Sequence, residues 1–529
     1  MSHARRAGSV TIAVFFSRIT GLVREVVLNN LIGPGDALDA FVVAFRIPNL
    51  LRDLLAEGAL SNAFVSVFSK TLAREGKHAA FALANRVVSL LLLLMCLIVT
   101  LGVLLAPWIV NLIGMGFDDP SKRNLATELT RILFPFIMCV SLAAVLMGLL
   151  NSVGSFGLPA SASTVFNITS IACGVALGYL VDPRFGEKSI YGFAVGTLLG
   201  GVAQALCMVP AARKKGYQPR FVYDTNDPGV REIVRLMLPS VIGAAAVQVN
   251  VLVNTAFASF LDSSSITCLS NAFRLMQLPV GLFGVAIATV TLPTLAKHIA
   301  RQNQEALGAR LSKAIRHTFV FALPSSVGLA VLAVPITELV FERGKFTAED
   351  TALTALALQG YAVGLSAYAS VKVIGPAFIA LGDAITPLQV SVVGVILNIF
   401  FNYLFVFHFQ LGILGLSMST SLIAILNFLQ LASCMHRRLE DMEIKNILIT
   451  FVKLSLACAV MGLVLHGISF FTGDLFQNHF PHRLLRTFLL VFSGGVCFYV
   501  VAKWLNIAEV SELIMEIQSR LPIQGYRPS

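Results

Sequence analysis

Charged side chains inside apolar segments are the groups in this sequence whose types and spacing could do chemistry. Residues 14–64 are typical of two apolar helices around the breaker Gly33-Pro34-Gly35. At membrane depth each charge costs roughly 2.5–3.5 kcal/mol, so a hairpin rich in charges indicates a shared polar cavity and not a lipid-facing surface. The charged residues of the hairpin are Arg18, Arg24, Glu25, Asp39, Arg46, Arg52, Asp53 and Glu57.

The spacing of the second half of this hairpin places several charges on one helix face. Asp39, Arg46 and Asp53 are seven residues apart, and Glu57 is one turn beyond Asp53. Guanidinium groups in a low-dielectric cavity bind anions, and their planar fork suits phosphate or pyrophosphate. We expect the carboxylates to neutralise part of this charge and to hold the arginines in position. An alternative is a set of internal salt bridges that only lock two helices together, which explains the carboxylates better than the arginines.

Motifs of covalent or metal-dependent catalysis are absent from the sequence. It contains no HExxH, no GxSxG and no GxxxxGK(S/T), and its nine histidines lack metal-ligand spacing. The eight cysteines are scattered through apolar segments with no CxxC pair. We therefore expect neither an enzyme nor an ATP-driven pump, and no metal or other cofactor.

The composition requires a membrane environment for these charges. Of 529 residues, 56% are hydrophobic and 13% are charged, and the mean hydropathy is +0.81. A soluble domain would have about 25% charged residues. Apolar stretches of about 20 residues or more match helices that cross the bilayer, which predicts an all-α polytopic membrane protein. The net charge of +11 is then explained by cytoplasmic Lys and Arg, and we expect no nucleic-acid partner.

Fourteen transmembrane helices are predicted. With the N-terminus inside, the inner segments hold roughly 22 Lys and Arg against roughly 7 in the outer segments, which places both termini in the cytoplasm. Apolar residues at helical spacing after the last span predict an amphipathic tail on the membrane surface. The predicted spans are 10–31, 37–66, 82–113, 129–152, 159–181, 189–211, 232–261, 265–296, 314–341, 353–380, 386–408, 411–435, 446–471 and 484–504. The tail residues are Ile507, Val510, Leu513, Ile514, Ile517 and Leu521.

A short repeat suggests two lobes of six helices. The second span contains AFRIPN around Arg46, and the eighth contains AFRLMQ around Arg274, which indicates a parallel repeat. The predicted domains are an N-terminal lobe with a basic linker at 1–220, a C-terminal lobe at 221–440, and two further helices with the tail at 441–529. Buried charges of the second lobe are cations, Arg274 and Lys372.

Five long segments resemble the MurJ (MviN) lipid II flippases of the MOP exporter superfamily. The segments are FFSRITGLVREVV, DALDAFVVAFRIPNLLRDLLAEGALSNAFV, AFRLMQLPVGLFGVAIATVTLPTLAK, FERGKFTAEDT and VKVIGPAFIALGDAITP. The resemblance implies two MATE-like six-helix lobes, two C-terminal helices that form a lipid-facing groove, and a central cavity that alternates between the two sides. It also implies a substrate, undecaprenyl-pyrophosphate-linked peptidoglycan precursor, moved from the inner to the outer leaflet of the bacterial cytoplasmic membrane. Membrane lipids and cell-wall synthesis proteins are the other partners it suggests.

The resemblance also assigns expected roles to single residues. Arg18, Arg24 and Arg52 match the family's cavity arginines, and Arg274 matches that of the second lobe. Asp39, Glu57 and Lys372 match further functional positions. Phe273 and Gln277 depart from the family, which often has Asp and Glu there, so an acidic partner of Arg274 is not expected from the motif. Some members bind sodium, and the candidates for such a site are Asn254, Asn398, Asn402 and Thr420.

Two other functions were compatible with these residues. A MATE-type drug exporter or a polysaccharide-unit flippase would share the fold, although exporters of cationic drugs favour an anionic cavity. A membrane phosphatase or glycosyltransferase would also need arginines for pyrophosphate, together with a catalytic acid or base. For energy, the excess of buried cations over sodium ligands favours the membrane potential, with a proton or sodium gradient as alternatives.

Overall fold

A computed structural model describes residues 3–54, 60–300, 304–439, 442–472 and 480–512. Within these ranges the chain is helical and forms no strand, which confirms the predicted all-α class. The α-helices are α1 (His3–Leu31), α2 (Asp36–Leu51), α3 (Leu60–Leu104), α4 (Ala106–Ile113), α5 (Pro120–Leu133), α6 (Phe136–Ser152), α7 (Gly157–Val181), α8 (Ile190–Leu206), α9 (Val209–Lys214), α10 (Pro228–Ala258), α11 (Ser265–Pro279), α12 (Val285–Ala300), α13 (Gln304–Val331), α14 (Ala333–Phe341), α15 (Ala348–Ala380), α16 (Ile385–Tyr403), α17 (Gly412–Arg438), α18 (Ile444–Thr472) and α19 (Phe480–Trp504).

Two compact units divide the described residues. Unit 1 comprises the chain up to Thr267 together with Arg343–Thr347. Unit 2 comprises Cys268–Glu342 and the chain from Ala348 onward. The division falls within α11, so α10 belongs to unit 1, whereas the predicted lobe boundary was at residue 220. The predicted three-domain division stays a prediction.

Eleven helical segments of the described chain are long and apolar enough to cross a membrane. They correspond to eleven of the fourteen predicted spans. The other three predicted spans are 10–31, 37–66 and 232–261, which α1, α2 with the start of α3, and α10 cover in whole or part. The first two contain the charged residues of the hairpin, which lower their mean hydropathy. The chain is a multi-pass membrane protein, and the count of fourteen stays a prediction.

Helix α3 consists of two helical stretches that meet at a non-helical residue, Gly76. Gly76 lies between the predicted spans 37–66 and 82–113, and the helix extends beyond the predicted limits on both sides of it. Gly76 has φ of +86°, a conformation that favours glycine. The charges near this kink end the apolar run, but they are good helix formers, so the helix continues on both sides of it.

Helix starts follow local capping rules where the chain enters unit 1 helices from loops. Asp119 accepts a hydrogen bond from the Ser121 amide at the start of α5, and Asp227 accepts one from the Val230 amide at the start of α10. Proline follows each aspartate at the first helical position, where its missing N–H is not needed. Both starts are therefore set by the sequence Asp-Pro.

Small residues bring helix backbones together in both units. A Cβ atom placed on Gly196 of α8 would lie 2.4 Å from the Gly174 nitrogen of α7. In unit 2, a Cβ on Gly364 of α15 would lie 2.5 Å from the Ser421 Cα of α17. Helices in lipid associate by such close packing because apolar burial gives them little driving force.

The C-terminal segment packs on unit 2 as far as it is described. Ile507 and Val510 are buried in the core that contains Leu454 and Phe378, so these two residues do not lie on a membrane surface as predicted. The remaining predicted tail residues, Leu513 to Leu521, lie outside the described residues.

Two π-helical turns follow the repeated arginines. Residues 52–54 form such a turn at the end of α2, and Val280–Gly284 form one between α11 and α12. Each turn begins six residues after the arginine of the repeat, Arg46 or Arg274. This shared position supports the predicted repeat, and π turns in α-helices are frequent at functional sites.

Candidate functional site

The N-terminal hairpin of unit 1 carries most of the predicted site. Helices α1 and α2 are joined by a turn at Gly33 and Gly35, which have φ of +81° and +157°. A Cβ on Gly33 would lie 2.9 Å from the Lys345 Cβ, so both the backbone conformation and the close approach require glycine. The predicted breaker thus shapes the hairpin.

Arg18 and Arg24 lie on α1 in different environments. The Arg18 side chain is exposed and has no hydrogen-bond or ion-pair partner among the described residues. The Arg24 side chain is 12% exposed, donates to Glu25 Oε1 at 2.9 Å, and lies 5.0 Å from the centroid of the Phe166 ring. The ion pair and the cation–π contact hold this guanidinium in place.

Arg46 of α2 contacts a polar side chain of α10 directly, and Arg52, just after α2, is connected to α10 through Asp53. Arg46 Nε donates to the Thr255 hydroxyl at 2.9 Å. Arg52 donates to Asp53 Oδ1 at 2.9 and 3.2 Å, and the Gln248 amide donates to Asp53 Oδ2 at 3.3 Å. Asp53 therefore accepts hydrogen bonds from the adjacent arginine and from a side chain of α10.

The partners Thr255 and Gln248 on α10 are not among the predicted site residues, although a pattern in the sequence indicates them. Gln248 and Thr255 are seven residues apart, as are Arg46 and Asp53. Helical residues at that spacing share a face, so a matched antiparallel pairing of two polar faces could have been predicted.

Asp39 contacts the beginning of α11 instead of an arginine. Its carboxylate, 1% exposed, accepts hydrogen bonds from the Thr267 amide at 2.9 Å, the Thr267 hydroxyl at 2.6 Å and the Ser264 amide at 3.1 Å. Its cationic partner is Lys122, whose Nζ lies 3.2 Å from Asp39 and 2.7 Å from Asp36. Asp39 therefore caps a helix start and pairs with a lysine that the sequence had placed outside the membrane. Glu57 lies outside the described residues.

Phe273, the neighbour of Arg274 in sequence, and Lys372 of unit 2 approach the same tyrosine of α15. Arg274 is half-buried on α11, and the adjacent Phe273 makes edge-to-face contacts with Tyr361 and Tyr368 of α15, at 5.4 and 6.4 Å between centroids. Lys372 is exposed, with its Nζ 5.6 Å from the Tyr368 ring centroid. Phe273 thus packs on the ring that Lys372 approaches.

The predicted sodium ligands do not lie in one unit. Asn254 belongs to α10 of unit 1, whereas Asn398 and Asn402 of α16 and Thr420 of α17 belong to unit 2. The Ser419 hydroxyl donates to the fully buried Asn398 Oδ1 at 2.9 Å, and Thr420 donates to the Leu416 carbonyl at 3.0 Å. The described residues contain no cluster of three or more His, Cys, Asp or Glu suited to a metal ion. The sodium site stays a prediction.

Each unit therefore presents cations within apolar helices. In unit 1, Arg24, Arg46 and Arg52 are held by carboxylates, an aromatic ring or a hydroxyl group. In unit 2, Lys372 lies beside an aromatic ring. Arginines fixed in this way can contact an anionic oxygen cluster without first being ordered, which favours binding of phosphate or pyrophosphate.

Comparison with known proteins gives the same family at the levels of sequence and structure. The family model described as "Lipid II flippase MurJ" matches residues 28–504. A protein of Burkholderia cenocepacia named "Lipid II flippase MurJ" is 34% identical over 486 residues, covering 90% of this chain and 93% of its own. A solved structure titled "Lipid II flippase MurJ, inward closed conformation" is similar with a TM-score of 0.76 at 27% identity, covering 97% of this chain and 99% of that one. An inward-facing multidrug resistance MATE transporter of the MOP superfamily shares the fold, with a TM-score of 0.68 at 17% identity over 81% of this chain and 95% of that one.

Proposed function

This chain belongs to the lipid II flippase MurJ family, and from that premise we propose that it moves lipid II from the inner to the outer leaflet of the bacterial cytoplasmic membrane. It acts as a transporter and not as an enzyme, with both termini in the cytoplasm. The sequence relationship favours this function over drug export, because the similarity to the MATE transporter concerns the fold alone.

The arginines of the hairpin are the observation that carries the proposal at residue level. Arg24, Arg46 and Arg52 have partners that fix their guanidinium groups, whereas Arg18 is exposed. We assign the pyrophosphate of lipid II to these side chains. Within unit 2, we assign a substrate-binding role to Arg274 and Lys372. Phosphate oxygens form charge-assisted, bidentate contacts with arginine that an ammonium group cannot reproduce.

The test measures lipid II in the outer leaflet of cells that depend on this protein. Accessibility of lipid II to a membrane-impermeant hydrolase is compared for wild type, Arg18→Ala, Arg24→Ala and Arg52→Ala, and for Lys at the same positions. Each Ala variant should abolish flipping while the protein still inserts, and Lys should rescue poorly. Arg213→Ala, an exposed arginine of the same unit, is the matched control and should flip normally.

Two outcomes would contradict the proposal. Normal flipping by the triple alanine variant would remove the assigned role of the arginines. Chemical conversion of lipid II by the purified protein would replace transport with an enzymatic function.

The membrane potential is the energy source we propose. A pyrophosphate with roughly two negative charges gains about 2.3 kcal/mol per charge per 100 mV on leaving a negative interior. An ionophore that collapses the potential at constant sodium and pH should stop lipid II from reaching the outer leaflet. Flipping that persists under the ionophore but ceases without sodium would refute this source and direct attention to Asn398, Asn402 and Thr420.

A further inference from the structure

A basic cavity in unit 2 is lined by none of the residues assigned to lipid II. It has a volume of about 470 Å³ and is bounded by α12 and α13. Arg310, Lys313 and His317 line it from α13, and their spacing of three and four residues places them on one helix face. One wall of the cavity is therefore cationic.

The opposite wall is apolar with two hydroxyl groups. Ile287 and Val290 of α12 line the cavity together with Thr291 and Thr294. Val290 of α12 is 75% exposed, Val285 at the start of α12 is 40% exposed, and Leu282 of the preceding π turn is 61% exposed. Exposed apolar side chains thus extend from the cavity to the beginning of α12.

A carboxylate of the C-terminal segment already occupies part of the basic face. Glu512 accepts from Lys313 Nζ at 2.6 Å and lies 3.7 Å from His317 Nε2, which makes no hydrogen bond among the described residues. The hydrogen bond from Lys313 lowers the pKa of Glu512 below its ordinary value, so this carboxylate is ionised at neutral pH. Arg310 is exposed and has no hydrogen-bond or ion-pair partner among the described residues.

Arg316, on the same helix as the lining cations, has a structural role, because both of its ion pairs are within unit 2. It pairs with Glu443 at 2.6 Å and with Glu509 at 3.0 Å, and its side chain is 14% exposed. The lining cations differ, because Arg310 is unpaired within the described chain and Lys313 shares its only described carboxylate with His317.

We propose that this cavity binds the phosphate of an anionic phospholipid, with Arg310 and Lys313 on the phosphate and an acyl chain along the exposed apolar face of α12. Basic pockets beside transmembrane helices bind lipid head groups in this manner, and the volume lies within the usual range for ligand sites. Glu512 competes for the same cations, so the C-terminal segment limits the affinity of the site.

Binding to the purified full-length chain in neutral detergent tests this proposal without any transport measurement. Phosphatidylglycerol is titrated, with phosphatidylcholine and inorganic phosphate as separate arms. Near a membrane surface each basic residue contributes about 1 kcal/mol, so R310A/K313A should weaken phosphatidylglycerol binding about thirtyfold. The matched control R437A/K445A removes two exposed cations elsewhere in unit 2 and should leave binding unchanged.

Glu512→Gln provides a second readout that does not depend on how well the double variant folds. Removal of the competing charge should strengthen phosphatidylglycerol binding severalfold. Unchanged affinity in R310A/K313A, or in E512Q, would overturn the proposal. Equal binding of phosphatidylcholine would overturn the recognition of an anionic head group, and competition by inorganic phosphate at equal concentration would overturn a lipid as the ligand.

Discussion

Replacement of Asp39 tests whether this residue serves as a helix cap and ion-pair partner in unit 1. In Asp39→Ala the start of α11 loses its cap, at about 1 kcal/mol, and Lys122 loses a buried partner. Breaking a buried pair costs roughly 3–5 kcal/mol, but Lys122 keeps Asp36 at 2.7 Å, which favours the lower end. Together the two contributions give an expected loss of about 4 kcal/mol in the free energy of unfolding.

Asp39→Asn separates the cap from the charge. The amide oxygen can replace Oδ1 and still accept the hydrogen bonds from Thr267. The attraction to Lys122 and the hydrogen bond from the Ser264 amide to Oδ2 are lost, so we expect a loss of about 3 kcal/mol, smaller than for Asp39→Ala. Combined with Lys122→Met, the two substitutions should be less destabilising than their sum by about 1–2 kcal/mol, because residues in direct contact are not additive.

Unfolding titrations in detergent micelles measure these differences. The matched control is Asp36→Asn, which removes the exposed partner of the same lysine and should cost less than about 1 kcal/mol. The reasoning is refuted if Asp39→Ala stays within about 0.5 kcal/mol of wild type, if Asp36→Asn is equally destabilising, or if the double variant is additive.

Three further predictions concern helix packing and pH. Gly196→Leu should destabilise the fold by more than about 3 kcal/mol, because even a Cβ there would lie 2.4 Å from the Gly174 nitrogen. The yield of folded protein in size-exclusion profiles should fall accordingly. The control Gly328→Leu, at a position with open space around it, should resemble wild type. Ser421→Ala should cost about 1 kcal/mol in unfolding titrations by removing hydrogen bonds to the backbone of α15, and a neutral result would contradict that role. Hydrogen bonds from Asn446 and Arg316 lower the pKa of Glu443 below 4.5. Its stabilising contribution is therefore present above pH 4.5 and is lost as the pH falls through the depressed pKa. Glu443→Gln should make the decrease of unfolding free energy at acid pH shallower, and an unchanged decrease would contradict this.

Local and distant features of the fold differed in how far the sequence could predict them. The turn at Gly33 to Gly35 and most spanning helices follow from short-range patterns, apolar runs and breaker residues. The partners of Asp39 do not, because Lys122 is 83 residues away and Thr267 is 228 residues away, and no periodic pattern relates such positions.

The charged ends of apolar runs do not coincide with the ends of helices. Lys70 and Arg74 mark where hydrophobicity stops, but the first helical stretch of α3 continues past both of them to the interruption at Gly76. Hydrophobicity reports the surroundings of a segment, whereas helix formation depends on backbone hydrogen bonds and local propensity, which these residues satisfy.

The π turns after Arg46 and Arg274 shift the phase of the helices that carry them. A π turn holds one extra residue, and one residue corresponds to about 100° of rotation in an α-helix. Arg46 and Asp53 are seven residues apart, but Asp53 lies within the turn at 52–54, so a helical wheel drawn continuously through it misplaces every later side chain. The same holds for Arg274 and the residues beyond Val280. The helix face that contains each arginine therefore ends at the π turn. Side chains beyond the turn are rotated by about 100° from the positions that a regular α-helix would give them.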